Sequence, residues 1–327
     1  MKIAIIGSGL AGATAAAGLA PRHDVTVFEK SRGTAGRMCT RRRQSAEGGE
    51  YAFDHGAQYF TIRGEKFARA LAPLKDQGIV QRWDAPMVDM AATGATAPRQ
   101  TEAYVACPGM TALAKSFLDG ITVRHEVEIA AIRRDQQGWR LADKSGHDKG
   151  CFDRVITAIP AAQTMAIMPD DFAPKPRLGA VKMLACFTLM LGYDKPIDLP
   201  YGGAFVEGSP LGFIAVNSSK PGRKSGFSLV VQANNSWAEP RVEHDPDEIN
   251  TIMRDELARL TGIDAAAAQL SSFHRWRYAA TETPLGEAFC SDDAAGLYAI
   301  GDWCLKGRVE AAFDSATALL DHLHARD

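Results

Sequence analysis

The chain has 327 residues, enough for one or two hydrophobic cores, with 46% apolar residues and a formal net charge of -2. That near-neutral balance argues against nucleic acid or an anionic membrane as partner. Six cysteines occur, none in a C-x-x-C pair, so zinc and disulfide scaffolds are disfavoured and reduced thiols of a cytoplasmic protein are expected.

The chain opens on the β-branched run Ile3–Ile6, which reads as a buried parallel strand. No targeting segment is expected ahead of it, and no apolar stretch is long enough for a membrane span. Ala11–Leu19 reads as an alanine-rich helix and Val25–Phe28 as a second strand, a β-α-β unit of about 30 residues. Phe67, Leu71 and Leu74 give helical spacing over Gly64–Gln77. Ala91–Gln100 is small, polar and proline-bearing, and is expected to be a loop. Met110–Leu118 reads as a helix, Val127–Ile132 and Trp139–Leu141 as antiparallel strands, and Arg154–Ile159 as a buried strand ended by Pro160.

From Gly179 the texture changes. Val181–Leu191, Ala204–Val206, Gly212–Val216 and Phe227–Gln232 read as strands of a separate sheet. Asp245–Pro246 starts a helix to about Leu260. Gln269–Trp276 is strand-like, Leu297–Ile300 is a final buried strand, and Val309 to His324 is a helix.

The first turn carries Gly7, Gly9 and Gly12 in G-x-G-x-x-G spacing, with Glu29 at the end of the next strand. The first glycine makes the tight turn, the second lets the backbone approach a pyrophosphate, and the third lets the helix pack on the sheet. The helix N-terminus adds unpaired N–H groups, and Glu29 is placed to accept ribose hydroxyls. This context fits NAD as well as FAD. The basic, flexible segment with Arg32, Gly36 and Arg37 beside the pyrophosphate tilts the choice to FAD. So does the far end, where Gly301 and Asp302 follow a strand and Arg308 opens a helix that turns its N–H groups toward the cofactor.

The segments IAIIGSGLAG, EKSRGTAGRM, FDHGAQYFT, NSSKPGR, HRWRYA and IGDWCLKGRVEAAF resemble the flavin-containing amine oxidase superfamily, and within it the bacterial renalase-like proteins. The resemblance implies an α/β fold: a doubly wound, Rossmann-type FAD-binding domain with an inserted substrate domain of mixed β-sheet plus helices. The division expected is 1–62, 105–170 and 283–327 for the FAD domain, and 63–104 and 171–282 for the substrate domain. It implies non-covalent FAD at Gly7, Gly9, Gly12, Glu29, Arg37 and Asp302, and Val127 near the adenine. Leu10, Ala11, Lys30, Gly36 and Met38 are expected to complete the dinucleotide end. Gly56, Ala57, Gln58 and Gly301, with Arg308, Val309 and Glu310, are expected at the flavin end. Family members oxidise dihydronicotinamide isomers of NAD(P)H, with electrons passing to O2 and release of H2O2. Ala35 departs from the second glycine of many relatives; its small size suggests no consequence.

Around the flavin, Gln58, Tyr59 and Phe60 are expected on one side, and His274, Trp276 and Tyr278 on the other. Rings there would form a flat, dry slot. Hydride loss makes a dihydropyridine aromatic, so no strong base is required. Lys220 and Arg223, with Arg275 and Arg277, could meet substrate phosphates or be solvated surface charge. Cys304 is assigned a packing role, and no metal is expected. Competing readings are an amine or amino-acid oxidase, a non-catalytic flavoprotein that binds a ligand or senses redox state, and an NAD-only dehydrogenase. The oligomeric state is not legible in the sequence.

Overall fold

The computed structural model describes residues 1–223 and 226–326. Strand β1 is Lys2–Ile6, helix α1 is Leu10–Leu19 and strand β2 is Asp24–Phe28. Beyond their first residues both strands are fully buried, as parallel strands covered on both faces must be. α1 is built of small residues because it is crowded: a Cβ on Gly18 would lie 2.4 Å from Leu320 Cδ1.

Strands β3 (Thr40–Gln44) and β4 (Glu50–Asp54) then form an antiparallel pair with Thr40 opposite Asp54. Helix α2 (Glu65–Asp76) turns Phe67 and Leu71 inward, as their spacing predicts. Short strands β5 (Val80–Arg82), β6 (Met87–Met90), β7 (Thr96–Arg99) and β8 (Tyr104–Ala106) follow. The expected loop over 91–100 is thus partly strand. β7 pairs with β6 at the end of a sheet, with Pro98 opposite Val88. A proline is tolerated there because no further strand needs its missing N–H.

Helix α3 (Thr111–Phe117) and strand β9 (Thr122–Arg124) lead into a three-stranded antiparallel sheet of β10 (Ile129–Asp135), β11 (Gly138–Asp143) and β12 (Asp148–Phe152). Strand β13 (Arg154–Thr157) returns beside β1. Helices α4 (Ala161–Ile167) and α5 (Lys175–Leu178) connect to β14 (Lys182–Tyr193), β15 (Gly203–Val206), β16 (Leu211–Val216) and β17 (Phe227–Ala233). Helices α6 (Asn235–Ala238) and α7 (Pro246–Thr261) come next; α7 starts at Asp245, whose carboxylate accepts from the Asp247 N–H. Strand β18 (Leu270–Thr283) runs well past the expected Trp276. Strands β19 (Cys290–Asp292) and β20 (Leu297–Ala299) and helix α8 (Val309–His324) complete the chain.

Two large sheets organise these elements. The first has the order β19-β20-β13-β1-β2-β9, a doubly wound, Rossmann-type α/β sheet. The second, β18-β14-β17-β16-β15-β6-β7, is mixed, with β15 and β6 parallel. The expected division gave 63–104 to the second sheet. β6 and β7 do pair there, but α2 packs on α8, with the Phe67 and Phe313 rings 5.1 Å apart. That segment is therefore shared between the two sides. No described helix is long and apolar enough to cross a membrane.

Candidate active site

A cleft of about 1810 Å³ takes its walls from both sheets. At its nucleotide end Gly7 leaves β1 with φ +107°, and its N–H donates to the Phe28 carbonyl at 2.8 Å. The three fingerprint glycines face different surroundings. A Cβ on Gly7 would lie 2.6 Å from the Ala158 carbonyl oxygen, and one on Gly12 2.0 Å from the Gly7 oxygen. A Cβ on Gly9 would meet nothing within 4 Å. Protein backbone closes two positions, and the middle one opens on the cleft. No side chain caps α1 at Gly9, so its first N–H groups remain for a ligand. This cradle fits a dinucleotide pyrophosphate.

Glu29 closes the same end. Its carboxylate accepts from the Ser8 N–H at 3.0 Å, the Ser8 hydroxyl at 2.6 Å and the Ser31 N–H at 2.9 Å. Leu10, Ala11, Lys30, Met38 and Val127 line the cleft, whereas Gly12 packs behind it. Ala35 adopts φ +87° and Gly36 φ +51°. The Ala35 departure therefore has a backbone consequence that its small size hid: a left-handed alanine costs about 1 kcal/mol.

Arg37 and Asp302 were expected to reach for the cofactor separately. The structure pairs them. Arg37 Nη1 donates to Asp302 Oδ2 at 2.9 Å and Nη2 to Oδ1 at 2.5 Å, while Nη1 also reaches the Ala279 carbonyl at 3.2 Å. The pair borders the cleft and joins the N-terminal segment to the C-terminal loop and to β18. Gly301, Arg308 and Val309 border it too. Glu310 does not. It is buried, and its carboxylate accepts from the Arg63 and Gly64 N–H groups at 3.0 and 2.5 Å, which docks that segment on α8.

The other end is aromatic. His55 stacks on Trp276 with ring centres 5.2 Å apart, and His274 stands edge-on to both, at 5.1 and 4.4 Å. The Trp276 indole N–H and the Thr188 hydroxyl donate to the His55 carbonyl at 2.8 and 3.1 Å. Burial and the nearby Arg41 charge lower the His55 pKa to about 3 and that of His274 to about 4, so both rings are neutral at pH 7. Arg41 Nη2 lies 3.1 Å from His274 Nδ1. A guanidinium can only donate, so Nδ1 accepts and the proton sits on Nε2. Tyr59 and Tyr278 line the same region, Tyr59 beside Phe205 and Phe213.

Other expected residues sit elsewhere. Phe60 is turned into the core against Phe67 and Tyr104, because successive side chains in an extended segment point opposite ways. Gln58 borders the cleft, but its amide is used up. Its Nε2 donates to the Asp54 and Gly56 carbonyls and its Oε1 accepts from Lys220 Nζ at 3.0 Å. Lys220 and Arg223, weighed as phosphate ligands, are wholly buried around Asp54. Asp54 Oδ2 accepts from Arg223 Nη2 at 2.5 Å and Lys220 Nζ at 3.2 Å. Arg277 pairs with Glu243, and Arg275 donates to the Val242 carbonyl at 2.7 Å. Cys304 is fully buried, in keeping with packing.

The sequence reading missed Cys39 and Arg41. The Cys39 sulfur lies 3.5 Å from His55 Nε2, and burial pushes its thiol up to about 12. The signal available was strand alternation after Met38, which a run of polar residues conceals.

The NAD(P)-binding Rossmann-like domain family matches residues 5–73, and the flavin containing amine oxidoreductase family matches residues 95–318. The second match covers well over half of the chain. The chain belongs to the flavin containing amine oxidoreductase family. It is an FAD-dependent oxidoreductase with non-covalent FAD. Among solved structures, a putative protoporphyrinogen oxidase from Exiguobacterium sp. 255-15 is similar with a TM-score of 0.78 at 12% identity, over 100% of this chain and 99% of that one. A double mutant of putrescine oxidase gives 0.70 at 12%, over 99% of each chain. An oxidoreductase from Methanosarcina mazei gives 0.69 at 13%, over 98% of this chain and 100% of the other. At such identities the likeness is one of fold.

Proposed function

We infer that this flavoenzyme is renalase-like: it oxidises dihydronicotinamide isomers of NAD(P)H to NAD(P)+, with O2 reduced to H2O2. The observation that carries this reading is the charge of the cleft. Among the described residues its only carboxylates are Glu29, Glu128 and Asp302. Glu29 is held by Ser8 and Ser31, Asp302 by Arg37, and Glu128 lies 3.7 Å from Lys144. The wall supplied by the seven-stranded sheet has none, so a cationic amine finds no anionic anchor there.

FAD supplies the hydride acceptor, and hydride loss leaves an aromatic pyridinium, so no base has to be built into the protein. The chain's own part is to bind and orient. His55, Trp276, Tyr278 and Tyr59 present rings to a planar substrate and exclude water. His274 Nε2 carries a proton that can be donated to a carboxamide oxygen. The imidazoles themselves add no charge to this slot at working pH, so its cation is Arg41. The dinucleotide-end residues Gly9, Glu29 and Val127 hold the adenosine side of FAD on this reading, and Arg308 and Val309 face its flavin side. The six unpaired thiols support residence in the cytoplasm.

An amine or amino-acid oxidase is the second reading; the family match favours it and the missing anionic anchor opposes it. Anaerobic titration separates the two. Isomeric dihydronicotinamide dinucleotides are expected to bleach the flavin, and air to restore it with one peroxide per turnover. A flavin left oxidised by these isomers but bleached by putrescine or an aromatic amine would reverse the order.

A further inference from the structure

Strand β3 carries three consecutive arginines, Arg41, Arg42 and Arg43, at the border of the cleft. Strand alternation puts Arg41 and Arg43 on one face and Arg42 on the other. Arg41 reaches across to β18, touching His274 Nδ1 at 3.1 Å and Ser272 Oγ at 3.4 Å. Arg43 extends into solvent beside it. Burial and the Arg43 charge both lower the Arg41 pKa, so the two cations feel one another.

Among the described residues none of the three has a carboxylate partner. Other arginines are treated differently. Arg82, Arg99, Arg140 and Arg259 each hold an Asp or Glu oxygen within 2.7 Å. A partly desolvated guanidinium beside a second cation, without a counter-ion, destabilises the free protein, and an anion seated between the two removes that cost. Positions two apart on a strand are about 7 Å apart, a span over which two guanidinium forks can hold both halves of a diphosphate.

We propose that Arg41 and Arg43 form a diphosphate subsite, contiguous with the aromatic slot at His274 and Trp276, that grips the phosphates of the substrate. This rests on the dinucleotide reading for the identity of the substrate, but the subsite itself is measurable without turnover. Arg41 aligns His274 while binding; Arg43 serves the anion alone and is the residue to change.

The test uses the FAD-loaded protein and two probes. ADP-ribose has the diphosphate without the nicotinamide ring; a dihydronicotinamide riboside isomer has the ring without the diphosphate. Calorimetry is expected to show ADP-ribose binding that weakens with salt, and Arg43→Gln is expected to weaken it about tenfold, the scale of one charge-assisted hydrogen bond. Arg82→Gln, remote from the cleft and paired with Asp84, is expected to leave it unchanged. KM for the riboside is expected to be the same in Arg43→Gln and wild type. Wild-type protein that does not bind ADP-ribose, or Arg43→Gln protein that binds it equally well, overturns the subsite. ADP-ribose binding lost in Arg43→Gln, with no isomer reducing the flavin, keeps the subsite and removes the substrate reading.

Discussion

Asp54, Lys220 and Arg223 place two cations and one anion out of reach of solvent, beneath the Gly56–Gln58 turn that borders the cleft. Burial by itself would raise the Asp54 pKa; the Lys220 and Arg223 charges outweigh it and hold the carboxyl below its ordinary range. Burial lowers Lys220 to about 8. Removing the anion strands two buried cations, so Asp54→Asn is expected to lose about 3–5 kcal/mol of unfolding free energy in urea. The pH dependence has opposite signs at the two groups. Asp54, depressed in the fold, stabilises fully above the unfolded carboxylate value near about 3.9 and loses that contribution as pH falls through its lower folded value. Lys220 releases its proton near 8 in the fold, whereas the unfolded chain holds it to about 10.4. The unfolded state then binds more protons between those values, so this group makes stability rise with pH there. Urea midpoints between pH 8 and 10 are expected to climb in wild type relative to Lys220→Met; parallel profiles would refute the assignment. None of this was legible in the sequence. Asp54 and Lys220 are 166 residues apart, and a lysine and an arginine in a Ser- and Pro-bearing stretch read as solvated or ligand-facing by default.

The β1-turn-α1 element was the most legible part of the chain, because each glycine answers a distinct steric demand. The same demands separate two substitutions. Gly9 has ordinary backbone angles and open space where a Cβ would go, so Gly9→Ala is expected to leave the thermal midpoint of the apo protein unchanged and weaken FAD binding at least tenfold. Gly12→Ala drives a methyl group into the Gly7 carbonyl, which is backbone and cannot yield, so stability and FAD are expected to fall together. Apo melts combined with FAD fluorescence quenching check both; Gly9→Ala protein that binds FAD like wild type contradicts the cradle. Elements with clear apolar periodicity, such as α2, α7 and α8, were also legible. β3 was not, since Thr-Arg-Arg-Arg-Gln has no apolar alternation to read. β7 was hidden by the proline that its edge position tolerates. The far half of β18 was hidden by partial exposure on both faces.

Across the whole molecule, both the plan of a nucleotide-binding sheet with a second, inserted sheet and the cofactor followed from sequence because motifs at both ends could be matched to one ligand. The partnership of Arg37 with Asp302 did not, since each was read against the cofactor rather than against the other. That pair ties the beginning of the chain to its end beside the cleft. Arg37→Ala is expected to speed FAD release several-fold and to lower the unfolding free energy by about 1–3 kcal/mol, because it leaves the buried Asp302 carboxylate without its guanidinium. Stopped-flow exchange with a flavin analogue measures the first, and equilibrium denaturation the second. Unchanged release would mean that the tie does not govern cofactor retention.

The order β19-β20-β13-β1-β2-β9 has a consequence for biosynthesis. β1 and β2 are synthesised well before β20 and α8. Until then β13 is a bare edge, and the nascent chain carries β13-β1-β2-β9, four of the six strands, with nothing to cover that rim. A flavin site that needs Asp302 is therefore completed only once β20 has been made, and in the interval before that the uncovered β13 edge is where self-association is expected.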